Sequence, residues 1–164
     1  MKTVLELFLI ATVPEGFHVV RKEIDLTQEQ RDPDLIADEY LRFLFSDSRL
    51  IADSERYILH STSWRYEKSK KIVLTYIVYA DSFSFAHMDP GLLRTGDIVV
   101  ASTVTPKIPR PPVITQKAVL SHALRHLAFL MATDKNRICA QVISEETKAR
   151  FIALDQELAG RISS

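Results

Sequence analysis

The sequence predicts one α+β domain over residues 1–164, with a mostly antiparallel sheet of four to five strands and about three helices packed on one face. Three observations support this prediction. Runs typical of strands come first along the chain, and helical patterns come last. No repeat or change of composition marks a domain boundary. A content of 46% hydrophobic and 26% charged residues is typical of a globular chain.

A predicted β-hairpin in the middle of the chain organises this fold. Residues 57–66 and 72–80 are rich in β-branched and aromatic side chains, and the charged residues 67–71 separate them. The second run is apolar at both odd and even positions, which is typical of a central strand covered on both faces. The first run alternates less cleanly. As a regular strand it would carry four side chains on one face, namely His60, Thr62, Trp64 and Tyr66.

Two further strands are predicted before the hairpin. Residues 4–13 are apolar on both faces for most of their length, which predicts a strand in the interior of the sheet. A turn at residues 13–16 leads into a second strand over residues 17–26. The charged centre of this strand, residues 21–23, indicates an exposed position at the edge of the sheet.

The chain after the hairpin is predicted to be less regular. Residues 81–96 are expected to form a loop, and residues 97–101 a short strand. The proline-rich segment 106–112 cannot join a regular sheet or helix. We expect it to run extended as a stiff connector rather than to serve as a ligand for a proline-binding module. The apolar run 138–143 fits either a strand or the start of a helix.

Three helices are predicted from capping residues and helical periodicity. The first begins after Asp32. The second follows Thr115 over residues 116–132 and is apolar around most of its girth, so we expect it to be buried. The third follows Ser144 and ends near Gly160. In the first helix the apolar stripe comprises Ile36, Tyr40, Phe43 and Leu44, and the acidic side, expected to be solvated, comprises Asp34, Asp38 and Glu39.

Charge and cysteine content limit the class of partner. Lys+Arg and Asp+Glu both number 21, and this formal net charge of +0 argues against nucleic acid and favours a homo-oligomer. No apolar run is long enough to span a membrane, so no membrane partner is expected. Glu6 interrupts the apolar N-terminus, which argues against a signal peptide. The single cysteine, Cys139, fits a packed thiol in a cytoplasmic protein.

His122 and His126 are the strongest candidates for a metal site. One turn apart on the second predicted helix, they would project from one helix face and bind a divalent metal if a third ligand came from elsewhere. Arg125 beside them argues against a cation, so a hydrogen-bonded histidine pair at the margin of an apolar helix is the simpler interpretation. The candidate third ligands are His60, His87, Asp81 and Asp89.

The predicted hairpin supplies a second candidate site. His, hydroxyl and aromatic groups on one strand face can line a small-molecule pocket, although ordinary cross-strand packing explains them more simply. The sequence carries no short motif of a phosphate-binding loop, a dinucleotide fold, a zinc protease or a serine hydrolase. The candidate ligand-binding residues are His60, Thr62, Trp64, Arg65 and Tyr66.

These features predict a non-catalytic module that binds a protein partner or a small molecule and uses no cofactor. The alternative is a small enzyme or metal-binding protein that uses His60, His122 and His126. Histidines that converge in a pocket with an acid or a metal would favour the alternative. Histidines that are scattered or packed singly in the core, together with a large exposed apolar patch, would favour the binding module.

Overall fold

The computed structural model describes residues 1–47, 57–81, 83–85, 87–98, 113–133 and 141–158, with side chains as far as residue 153. The strands are β1 (Lys2–Val13), β2 (Gly16–Asp25), β3 (Ile58–Glu67), β4 (Lys71–Tyr79) and β5 (Gly91–Arg94). The helices are α1 (Pro33–Ser46), α2 (Gln116–Thr133) and α3 (Glu145–Leu158), and a short 3₁₀ turn, Thr95–Asp97, follows β5. The predicted α+β class is confirmed, and so is the hairpin, which corresponds to β3 and β4.

The five strands form one sheet in the order β3-β4-β1-β2-β5. β1 runs parallel to β4, and the other three neighbouring pairs are antiparallel, so the sheet is mostly antiparallel as predicted. β1 and β4 lie side by side in the interior because both are apolar on both faces. Residues 4–11 and 75–80 are all buried, which matches the interior positions predicted for these two strands.

Helices cover both faces of the sheet. Successive side chains of β1 divide between two apolar clusters: Phe8 packs with α2 and α3, whereas Leu7 and Leu9 pack with α1. The prediction of helices on one face therefore holds for α2 and α3, but α1 lies on the opposite face. The physical reason is the two-sided apolar pattern of β1 and β4, since each apolar face must be covered.

Side-chain caps fix the start of each helix. Asp32, Thr115 and Ser144 accept hydrogen bonds from backbone amides two or three residues later, at 2.9, 3.1 and 3.2 Å. The three predicted helix starts are therefore confirmed. The predicted apolar stripe of α1 is wrong at Phe43, which is 54% exposed, because Leu41 lies on the buried side instead.

The sequence prediction fails for short segments. Gly91–Arg94 pairs with the start of β2 within the predicted loop, and four residues are too few to show a strand pattern. Asp97 ends a 3₁₀ turn rather than starting a strand. Of the run 138–143, which fits either a strand or the start of a helix, residues 141–143 form a helical turn and a bend. Three further predictions lie outside the described residues: the rest of the predicted strand (residues 99–101), the proline-rich segment 106–112 and Cys139.

The charged half of β2 lies at an edge of the described sheet. Only the first four residues of β2, 16–19, pair with β5, so residues 20–25 have β1 as their one strand neighbour among the described strands. Arg21 and Glu23 are exposed there, as the charged centre of this strand predicts. Charges at such a position discourage pairing with a further strand.

Replacing Gly16 by alanine is expected to destabilise the fold by about 2–3 kcal/mol. Gly16 has a φ of +156°, and an added Cβ would lie 2.1 Å from the Leu93 carbonyl oxygen of β5. Urea unfolding at equilibrium measures the loss. Gly96→Ala is the matched control, since nothing lies within 4 Å of its added Cβ. Equal stability of the two variants would contradict the close approach of β2 and β5.

Candidate functional site

Three histidines from two elements meet near the outer strand of the sheet. His60 lies on β3, and His122 and His126 lie one turn apart on α2. The ring centroids of His60 and His126 are 6.1 Å apart, and those of His122 and His126 are 4.6 Å apart. His60 pairs with Ile77, which belongs to the apolar cluster under α2, so its side chain lies on the α2 face. The structure thus brings together the three histidines that the sequence singled out.

The pKa values of these three imidazoles are all below the ordinary value. Burial lowers the pKa of His60, and His126 lowers it further, against the opposing charge of Asp34. His122 is an exposed residue of α2, but the neighbouring protein atoms partly desolvate its ring; this desolvation, His126 and Arg125 lower the pKa of His122, opposed by a hydrogen bond to the backbone of β3. Burial and Arg125 lower the pKa of His126. Near neutral pH the cluster is therefore uncharged, and each ring offers one donor and one acceptor.

The described residues do not assemble a three-ligand metal site. Among them, no group of three His, Cys, Asp or Glu side chains is placed to hold one ion. Asp81, a candidate third ligand, instead accepts hydrogen bonds from the Tyr79 hydroxyl at 2.7 Å and from the Ser144 amide at 2.5 Å. Metal binding by His122 and His126 stays a prediction.

A β-bulge in β3 divides the predicted ligand-binding residues between two faces. The register with β4 shifts after Ser61, which breaks the simple alternation of a regular strand. His60 faces α2, whereas Trp64 pairs with Leu74, which packs against the apolar cluster under α1. Tyr66 lies two residues further along and shares the face of Trp64. The predicted common face for these side chains is therefore wrong.

Two of the predicted ligand-binding residues form hydrogen bonds with other residues of the fold. Thr62 is buried, and its hydroxyl donates to the Thr75 carbonyl at 3.2 Å. The Arg65 side chain is 14% exposed and donates to Glu6 at 2.7 Å, to the Thr75 hydroxyl at 3.0 Å and to Glu67 at 3.1 Å. Because these polar groups have internal partners, Thr62 and Arg65 hold neighbouring strands together, and a ligand-binding role for them stays a prediction.

Glu6 is a buried carboxylate at the centre of this network. It is 1% exposed and accepts hydrogen bonds from Arg65 and Arg21, both at 2.7 Å, and from the Thr75 hydroxyl at 3.1 Å. Burial raises the pKa of Glu6, but the hydrogen bonds and charges of Arg65 and Arg21 outweigh burial and hold that pKa below 4.5. A single acid within an otherwise apolar strand is the sequence signal that predicts such a buried, paired group.

Two tyrosine hydroxyls bind the acidic side of α1. Tyr76 donates to Asp34, and Tyr57 donates to Asp38. Burial, together with Asp38, raises the pKa of Tyr57 to about 12. The acidic side of α1 is therefore partly structural, where the sequence predicts simple solvation.

Comparison of the chain with known protein families, curated proteins and solved structures gave no match. In the part of the chain that the structure describes, no helix is both long and apolar enough to cross a membrane. A function must therefore be inferred from the chain's own side chains and their placement.

Replacing Glu6 by glutamine is expected to cost about 3 kcal/mol of stability, because the largely buried Arg65 loses its buried counter-charge and keeps only the partly exposed Glu67. Thermal or urea unfolding measures the loss. The matched control is Glu23→Gln in the same network, where the Glu23 side chain is 39% exposed and binds Arg21. This control is expected to cost less than about 1 kcal/mol. A similar small loss in both variants would show that the Glu6 carboxylate is not buried.

Stability is also expected to fall as the pH is lowered from about 7 to about 5.5. The folded pKa values of His60, His122 and His126 lie below the ordinary 6.5. As the pH falls, these histidines therefore take up protons in the unfolded chain before they do so in the folded chain. The contribution of the neutral histidines to stability is complete above pH 6.5 and is lost as the pH falls below that value. Urea unfolding at a series of pH values measures the change.

Two variants separate this effect from other titrations. His126→Gln is expected to flatten the pH dependence between about pH 7 and about pH 5.5, whereas His87→Gln, at an exposed loop position, leaves it unchanged. Glu6 titrates outside this window because its pKa lies below 4.5. The same slope in the wild type and His126→Gln would contradict the role of the cluster.

Proposed function

We propose that the chain is a non-catalytic binding module that acts in the cytoplasm and makes its contacts through β3. The observation that carries this proposal is the exposure of Trp64 and Tyr66, which are 71% and 56% exposed. They lie two residues apart on the same face of an outer strand. Large aromatic side chains supply much of the binding energy at many protein interfaces. We call Trp64 and Tyr66 the aromatic pair.

The backbone of β3 adds a second means of contact. β4 is the one strand beside β3 in the described sheet, so the N–H and C=O groups on its other side have no strand partner there. A strand from another molecule can pair with such an edge. The bulge after Ser61 interrupts this edge, and residues 63–67, which carry the aromatic pair, form a regular stretch beyond it.

A second copy of the chain is the partner that this surface fits best. The formal net charge of +0 means that two copies repel each other little. A twofold axis would bring the same patch of both copies together, aromatic pair to aromatic pair, by pairing one β3 edge with the other. The single cysteine, Cys139, supports a reducing compartment, which is why we place the protein in the cytoplasm.

The alternative is a small enzyme or metal-binding protein that uses His60, His122 and His126. Its support is the convergence of the three rings, with centroids 4.6 and 6.1 Å apart. Elemental analysis of the purified protein tests it directly. A tightly held ion that is lost when His122 and His126 are both replaced by alanine would displace the binding-module proposal.

Sedimentation equilibrium is the test of self-association through β3. The average mass of the wild type is expected to rise with concentration toward that of a dimer. Replacing the aromatic pair with alanine, as Trp64→Ala and Tyr66→Ala together, is expected to weaken dimerisation at least about tenfold because buried aromatic anchors carry the contact.

Phe129→Ala is the matched control for this experiment. Phe129 is 58% exposed, but it belongs to α2 on the other face of the sheet, so its replacement is expected to leave dimerisation unchanged. A wild type that stays monomeric at high concentration would contradict the proposal. Equal dimerisation of the wild type and the aromatic-pair variant would show that the dimer contact does not lie at β3.

A further inference from the structure

We propose that His60, His122, Arg125 and His126 form a binding site for a tetrahedral oxyanion of the phosphate class. We call these four residues the histidine site. The site lies where α2 meets β3, on the opposite face of the sheet from the aromatic pair. It is therefore separate from the contact surface proposed above, and the two proposals fail or succeed independently.

Arg125 gives the histidine site a permanent positive charge. It follows His122 by three positions and immediately precedes His126, and its charge acts on both rings. The Arg125 side chain is half-buried and makes no ion pair with any residue that the structure describes. α2 contains no Asp or Glu to neutralise it. A half-buried guanidinium with no counter-charge among the described residues is well suited to bind an oxyanion.

The other groups that face the site restrict where an anion can lie. From α1, the carboxylate of Asp34 acts on His60, but it already accepts the hydroxyl of Tyr76. From β3, the backbone of Thr62 faces His122. Among the described residues, Asp34 is the one acid whose charge acts on any of the three rings, and it acts on His60 alone. An anion is therefore held on the α2 side of the site, away from Asp34.

Anion binding at this site is coupled to protonation. The free rings are neutral near pH 7, whereas a protonated ring carries a positive charge and donates from both nitrogens. A bound anion favours the protonated rings and so raises the pKa values of the histidines that contact it. The affinity for an anion of fixed charge therefore increases as the pH falls toward and below 6.5.

The geometry favours a tetrahedral anion over a planar one. The rings come from β3 and from two successive turns of α2, and their planes are inclined at 33° for His60 and His126 and at 60° for His122 and His126, so their N–H groups do not share one plane. The oxygens of a phosphate-like anion also point in different directions, and each can accept a hydrogen bond. A carboxylate presents two oxygens in one plane and satisfies fewer of these donors.

Sulfate is the probe, because it is a tetrahedral dianion whose charge stays constant over the range of the experiment. We would titrate it into the wild type at about pH 6 and about pH 8, at constant ionic strength set with chloride, and follow the imidazole ring signals by NMR. The signals of His60, His122 and His126 are expected to shift saturably at the lower pH, with affinity at least about tenfold weaker at the higher pH. His18 and His87 lie outside the site and serve as internal controls.

Two further measurements complete the test. Arg125→Gln is expected to weaken sulfate binding at least about tenfold at the lower pH, and acetate at the same ionic strength is expected to cause no saturable shift. The proposal is overturned if no histidine responds, if all five respond alike, if acetate is as effective as sulfate, or if Arg125→Gln binds like the wild type. The wild-type titration decides the outcome even where the variant fails to fold.

Discussion

The structure depends on one pair of parallel strands, β1 and β4, that are apolar on both faces. Neither face of this pair can be left in water, because burial of a large aliphatic side chain contributes roughly 1.5–3 kcal/mol. α1 follows the β1–β2 hairpin in the chain and covers one face, and α2 and α3 come last and cover the other. The three-layer arrangement is thus a consequence of two strands whose side chains are hydrophobic at successive positions.

The same pair of strands explains the polar features of the fold. A carboxylate at position 6 cannot avoid burial in β1, so Glu6 needs Arg65 from β3, Arg21 from β2 and Thr75 from β4. This network joins four adjacent strands through one buried group. The packing of α2 on the β4 side chains also places its histidines beside β3, so the histidine site is a product of how the sheet is covered.

Local chemistry made part of this structure predictable. The hairpin, the interior position of β1 and the caps at Asp32, Thr115 and Ser144 depend on residues close together in sequence. The side of the sheet on which α1 packs could not be predicted in this way. The apolar stripe of a helix shows that the helix packs against something, but not which face of the sheet it covers. β5 has only four residues and its pairing depends on β2, which is distant in sequence.

The candidate site was predictable in its residues but not in its arrangement. Spacing alone places His122 and His126 on one helix face, whereas their approach to His60 requires the packing of α2 against β3. The bulge after Ser61 arises from the pairing of β3 with β4, and a shift of one residue moves a side chain to the other face. That is why Trp64 and Tyr66 lie opposite His60, although simple alternation places them together.

Nuclear Overhauser effects between imidazole ring protons test this account most directly. The rings can meet only if His60 lies on the α2 face of the sheet and α2 packs beside β3. The account predicts effects between His60 and His126, whose ring centroids are 6.1 Å apart, and between His122 and His126, at 4.6 Å. Effects from His60 to side chains of α1, with none to His126, would contradict it.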